Sequence, residues 1–352
     1  MSLLGTRTQL SAIGLDIDAH EFRAVQLVQS GDVISTLAWA VFPRQDEFNT
    51  ADGIPAAEEL KWAASILGRR GFVGRRISIV PSTGSCSSHV MELPPADSGA
   101  PIGQLARMEI ARERKCGPDE FELGHWKLPA KGRTQETLAV ACPRTVISSA
   151  IERFEEAGLV PVGIGLLELA VCRGGAAGFD EQVVDNEINA SLHIGWTSTL
   201  AVLTLGDTVI YVRRIERGAS SVWDMITGRY RLAGKSANAV MDETAGTEAS
   251  EAMNKIRRAV WYGFALELAN ELDVAVAYVS HSYRMAPLGK VRLSGYGACN
   301  SVIIEHIDQV IGIPIVSNAP SAVRQSMGTL QENLPLACRL TVAYGLAERF
   351  DQ

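Results

Sequence analysis

Three short stretches of this 352-residue chain carry residue types able to handle a phosphorylated ligand. In the first, Asp16 stands in the apolar run Ile13-Gly-Leu-Asp-Ile17, and Asp18 and Arg23 follow through the polar loop Asp18-Ala-His-Glu21. In the second, Ala190-Ser-Leu-His-Ile194 leads into a glycine and hydroxyl loop of Gly195, Trp196, Thr197, Ser198 and Thr199. The third is Leu293-Ser-Gly-Tyr-Gly-Ala298, a turn built on Gly295, Tyr296 and Gly297. A carboxylate at a strand end can hold the waters of Mg²⁺, which makes Asp16 the candidate metal residue, and glycine or hydroxyl loops let backbone N–H groups approach phosphate oxygens. A glycine turn at a helix N-terminus suits a nucleotide base or phosphate. Each feature also has a structural reading. Asp16 can cap a turn, His193 can be a hydrogen-bonded strand histidine, Trp196 can fill the space of a nucleotide, and Gly295 with Gly297 can make a tight strand-to-helix turn.

The elements that position the first two stretches repeat. Ile13 to Ile17 reads as a strand, residues 18–21 as a loop, and Phe22, Ala24, Gln26 and Val28 as a second strand ending at the turn Ser30-Gly31-Asp32. Residues 190–213 repeat this order, with a turn at Gly206-Asp207. Two such units, one opening each half, predict two similar α/β domains facing each other across a cleft.

Elsewhere the periodicity predicts a helix over 58–68, a strand over 76–81 and another over 88–93, with the turn-rich Asp97-Ser-Gly-Ala-Pro101 as a boundary. A helix from Ile102, a strand pair at 121–128 and 136–142, an amphipathic helix over 145–157 capped by Gly158, and a strand over 159–164 form an inserted α+β subdomain. Helices follow at 220–231 and 251–283, and a last one at 340–350. The division is therefore a first domain of 11–90, 165–190 and 328–352; the insertion, 91–164; a second domain of 191–218 and 288–327; and a mostly helical excursion, 219–287.

Bulk properties exclude several classes. With 33 basic and 40 acidic residues the formal charge is −7, which gives little support to a broad grip on nucleic acid or anionic lipid. The basic cluster Arg69-Arg70 with Arg75-Arg76 reads as a solvated helix end. Six widely spaced cysteines without a CxxC pair fit buried thiols in a reducing compartment. No apolar run nears the ~18 residues of a membrane span, and no signal-like segment opens the chain. A cytoplasmic protein is expected, with membrane contact only through a partner.

The segments Ile13-Gly-Leu-Asp-Ile17, Val90-Met-Glu-Leu-Pro-Pro95, Glu156-Ala-Gly-Leu-Val-Pro-Val162, Leu293-Ser-Gly-Tyr-Gly-Ala298 and Ala343-Tyr-Gly-Leu-Ala347, in this order over residues 11–349, resemble the PilM family. These are actin-like proteins of type IV pilus assembly, in the FtsA-like branch of the actin/Hsp70/sugar-kinase fold. The resemblance implies a duplicated actin-like (ribonuclease H-like) ATPase fold with an inserted subdomain, and ATP with Mg²⁺ in the central cleft. It implies an adaptor that binds the cytoplasmic tail of a membrane-anchored PilN-like partner near the insertion, alongside other pilus-assembly components. It leaves the groove residues unassigned, and self-association through the insertion rests on analogy alone.

The sequence departs from that pattern at the chemistry. Where the family has glycine and small hydroxyl residues, this chain has Asp18-Ala-His-Glu21, and Arg23 stands where a lysine is usual. Each added carboxylate would repel a polyphosphate by roughly 1 to 4 kcal/mol at effective dielectrics of 80 down to 20. His193 replaces a second aspartate, and Gly165 and Leu167 occupy acidic positions of the crossover. Weak or absent ATP hydrolysis is expected, with nucleotide binding left open. The alternatives are an active ATPase or small-molecule kinase, for which Glu168 and Asp180 are the candidate bases, and a secretion-system relative with another partner.

Overall fold

A computed structural model of the chain describes residues 8–45, 54–81, 84–95, 98–129, 136–178, 184–241, 251–328 and 331–349. Strands β1 (Thr8–Leu10) and β2 (Ile13–Ile17) lie along one edge of β3 (Glu21–Ser30), and β4 (Val33–Pro43) along the other, all antiparallel to it. After helix α1 (Ala57–Arg69), β5 (Arg76–Ile79) joins β2 in parallel. The chain then leaves this sheet. Strands β6 (Ser87–Glu92), β7 (Phe121–Lys127) and β8 (Glu136–Pro143) make a separate antiparallel sheet in the order β6-β8-β7, with helix α2 (Ile102–Arg114) between β6 and β7 in sequence. Helix α3 (Arg144–Glu156) leads back, and β9 (Val160–Ile164) pairs in parallel with β5.

Helix α4 (Leu167–Ala176) crosses to the second sheet, where β10 (Ile188–Ile194), β11 (Thr199–Leu205) and β12 (Thr208–Ile215) form an antiparallel meander. A helical block follows: α5 (Ala219–Asp224), running into a π-helical turn at Met225–Arg229, then α6 (Gly234–Met241) and the 32-residue α7 (Glu251–Ser282). Strand β13 (Leu288–Gly295) adds to β10 in parallel and, after α8 (Ser301–Ile311), β14 (Ile315–Ser317) adds to β13. Helices α9 (Ser321–Met327), α10 (Leu334–Arg339) and α11 (Thr341–Ala347) close the chain. The two large sheets thus share one plan, a three-stranded meander extended by two parallel strands.

Local chemistry accounts for much of this plan. The meanders turn at Gly31-Asp32 and Gly206-Asp207, where the glycines supply φ of +64° and +58°. Strand β10 is buried over all seven residues, as a strand covered on both faces must be. Helix α11 packs on β2 and β3, α4 packs on β10 and β11, and the two helices pack on each other. Their approach requires glycine: a Cβ at Gly174 would overlap the Thr341 carbonyl oxygen, and one at Gly345 that of Ala170.

Several boundaries differ from the sequence division. Ala150 and Phe154 of α3 are buried with Ile13, Phe22 and Ile77 of the first sheet, and β9 is a strand of that sheet, so the separate unit spans about 87–143 rather than 91–164. Among the described residues the small sheet's own buried cluster is Ile110, Ala111, Phe121, Ala139 and Ala141, and the buried residues of α3 belong to the first sheet's cluster instead. The second sheet opens at Ile188 rather than 191, and the final helix is Thr341–Ala347. Phe350, Asp97, Asp180 and the loop 130–135 lie outside the described residues. The inserted unit also braces the second lobe: Trp126 Nε1 donates to the Val209 carbonyl oxygen at 2.7 Å.

Candidate functional site

Asp16 and Arg23 face each other across the β2–β3 hairpin, as a register that pairs Gly14 with Val25 dictates. The guanidinium lies 2.8 Å from Asp16 Oδ2, 2.9 Å from Asp18 Oδ2 and 3.5 Å from Glu21 Oε1. It is 1% exposed, which leaves its pairs with the buried Asp16 and Glu21 little solvent screening. Glu21 is shared with Arg339 at the end of α10, whose Nε donates at 3.1 Å and whose second nitrogen reaches Oε2. Burial opposes the charge on Arg23, but Asp16, Asp18 and Glu21 together outweigh it and hold the group well above its usual pKa. Burial, partly offset by Arg23, pushes the Asp16 carboxyl up to about 6.

The loop after β2 is closed on itself. Asp18 Oδ1 accepts from the backbone N–H groups of His20 at 2.7 Å and Glu21 at 2.9 Å, and the Asp18 N–H donates to the Glu21 carbonyl at 3.1 Å. A phosphate would need those same donors.

Across the cleft, Gly195 donates to the Ser198 carbonyl at 3.0 Å, and the buried Thr199 hydroxyl donates to the Arg217 carbonyl at 2.8 Å. Thr197 is exposed. Trp196 stacks on His20 of the first loop with ring centroids 4.0 Å apart and planes 12° from parallel. Its other ring neighbours are Tyr296 at 5.4 Å and Trp223 at 6.4 Å. His193, in register with Ser294 on β13, places Nδ1 3.0 Å from Ser294 Oγ; burial, reinforced by Arg23, pushes the imidazole down to about 3.

The third stretch meets the other two. Gly295 and Gly297 have φ of +83° and +71°, and a Cβ at Gly297 would meet Trp261 and Ile303. Between them Tyr296 lies under Arg23 at 5.8 Å and Arg339 at 4.8 Å, its hydroxyl pKa raised by burial. The structure therefore brings Asp16, Asp18, Arg23 and Tyr296 together, seats Gly195 and Ser198 in a loop whose Trp196 packs on His20 and Tyr296, leaves Thr197 exposed and bonds Thr199 to Arg217.

Hydrated Mg²⁺ does not fit this arrangement. The three carboxylates that would face it are turned onto a guanidinium, His193 is neutral, and among the described residues no group of three or more His, Cys, Asp or Glu side chains is placed to hold a metal ion. Asp16, the candidate metal residue, has Arg23 as its partner instead. Glu168, one candidate base, is buried at the start of α4 and lines a cavity of about 220 Å³ with Cys86, Ser198 and Arg214.

Sequence reasoning missed a second group. A cavity of about 470 Å³ is lined by Asn254, Lys255 and Arg258 of α7 together with Asn300 and Ser301 at the start of α8, just beyond the glycine turn. The signal in the sequence is the basic run Lys255-Ile-Arg-Arg258, which the apolar spacing of α7 overlies.

No family model matches the sequence, and no curated protein sequence is similar to it. Among solved structures, a chain of the PilM-PilN type IV pilus biogenesis complex superposes with a TM-score of 0.75 at 21% identity, over 96% of this chain and 97% of that one. This chain has the actin-like fold of PilM. The ethanolamine utilization protein EutJ from Carboxydothermus hydrogenoformans is similar at a TM-score of 0.55 and 12% identity, over 98% of this chain and 91% of that one. The likeness to PilM spans both lobes and the inserted unit. Among the described residues no helix is long and apolar enough to cross a membrane.

Proposed function

We propose that this chain is an adaptor of a type IV pilus or related assembly machine, binding the cytoplasmic tail of a PilN-like inner-membrane protein with a cleft that no longer works a nucleotide. The observation that carries the reading is the likeness, along nearly the whole of both chains, to PilM from a complex with PilN. The self-paired loops support the second half: charged and backbone groups that would meet Mg²⁺ and phosphate are bonded to one another. On this reading the protein sits at the cytoplasmic face of the membrane through its partner, among other assembly components and without nucleic acid. Pull-down with synthetic peptides spanning the partner's cytoplasmic tail is the test. Capture by the intact protein is expected, and no capture with or without MgATP would end the reading.

The basic cavity beside the glycine turn favours a second reading, an active ATPase or small-molecule kinase of the same fold. It requires Arg23 to leave Asp16. Turnover abolished by Asp16→Ala would establish it.

A further inference from the structure

We infer that Arg23 is a built-in replacement for the cation of the fold: it neutralises the cleft carboxylates from within the first lobe, while its contact with Tyr296 and the His20–Trp196 stack tie the two lobes across the cleft with side chains of the chain itself. The inference deepens the adaptor reading, on which it rests for its consequence that partner binding proceeds in one fixed, nucleotide-independent conformation.

Three observations carry it. Arg23 bridges Asp16, Asp18 and Glu21 while fully buried, so the carboxylates that face the cleft already have their counter-ion. Two contacts cross the cleft beside it: Tyr296, on the turn that follows β13, lies against Arg23 and Arg339, and Trp196, after β10, lies flat on His20, after β2. The loop donors at 18, 20 and 21 are bonded within the loop. The packing of α4 on α11 and the Trp126 hydrogen bond already join the lobes away from the cleft, and these contacts join them across it with no ligand between. A cation carried on the chain cannot be lost to solvent, so neutralisation of Asp16, Asp18 and Glu21 does not depend on ligand concentration, and the cross-cleft contacts form with or without one.

The test is thermal denaturation and small-angle X-ray scattering of the full chain in EDTA, in millimolar Mg²⁺ and in millimolar MgATP. The natural protein is expected to keep one Tm, within about 1 °C, and one radius of gyration in all three, because a ligand without a site adds no stability. Arg23→Ala is expected to lose Tm in EDTA and to regain part of it with Mg²⁺ or Mn²⁺, since freed carboxylates accept a hard divalent cation. A purely structural arginine gives the loss without the metal-dependent recovery. A rise in the natural protein's Tm of several degrees with MgATP would overturn the inference, as would an Arg23→Ala protein that is stable and indifferent to divalent ions. Should Arg23→Ala fail to fold, Trp196→Ala decides: faster deuterium exchange in both 18–21 and 195–198, unaffected by MgATP, is expected, and unchanged exchange would overturn the inference. Failure of the natural protein to capture tail peptides would remove the adaptor reading and leave this result standing.

Discussion

At Asp16, what the carboxylate can do is decided by its neighbour one hairpin position away. Burial makes the charged form costly and Arg23 offsets that cost, so removing Arg23 strands Asp16, whereas removing Asp16 leaves Arg23 with Asp18 and Glu21. Asp16→Ala is expected to destabilise the protein by about 1.5 to 3 kcal/mol, short of the full cost of an uncompensated buried charge because Asp18 and Glu21 still pair Arg23, read as a fall in Tm. Were Asp16 only a metal ligand, the same change without metal would cost little. The pair was half legible: the hairpin was readable from Ile13–Ile17 and the Gly31-Asp32 turn, and a tight loop at 18–21 sets 16 opposite 23, but the register was not drawn. His193 gives a pH test. Its folded pKa of about 3 lies below the unfolded 6.5, so the unfolded chain takes the proton first, and this source of stability is intact above pH 6.5 and lost as pH falls toward 3. Asp16 acts oppositely, because its folded pKa of about 6 exceeds the unfolded 3.8; the folded chain takes that proton first and gains below pH 6. The two nearly cancel at pH 5. His193→Gln removes one side, and between pH 7 and pH 5 the variant should gain about 2 kcal/mol on the natural protein, measurable by denaturant titration at each pH.

Elements meet where glycine lets them. In α4 and α11, Gly174 and Gly345 bring each helix against the other's backbone, so Gly174→Ala should force the helices apart and cost about 1 to 3 kcal/mol, or more where neither can move. Gly68 of α1 is the contrast: nothing lies within 4 Å of a Cβ there, and Gly68→Ala should raise stability by about 0.5 to 1 kcal/mol through helix propensity. Equal effects at the two sites would contradict this packing. Both meanders were legible because strand period and turn residues are local signals. The assignment of β9 was not: its partner β5 lies across the whole insertion, and parallel pairing leaves no mark on the sequence between. The insertion was recognised as a unit, while α3 was counted within it because an amphipathic face does not say which sheet it will cover.

For the whole molecule the proposed contrast is between a cleft joined by the chain's own side chains and one joined by a bound nucleotide. His20 and Trp196 stand 176 positions apart, and no local pattern links them. The reading of Trp196 as a filler of nucleotide space came from its place in the loop; that it stacks on the opposite loop required the fold. The same fold puts Trp126 of the inserted unit on Val209 of the second lobe, a brace on closure well away from the cleft loops in sequence. On the proposed ligand-free joining of the lobes, a partner meets the same surface at every nucleotide concentration. Titration calorimetry of the partner's tail peptide into the full chain, once in EDTA and once in MgATP, is the most direct measurement. The account predicts binding in both with Kd values within about twofold of each other, as expected when nucleotide has no differential affinity to contribute. Tail binding that strengthens about tenfold or more with MgATP would show that nucleotide and partner are coupled through a working cleft, and would contradict it.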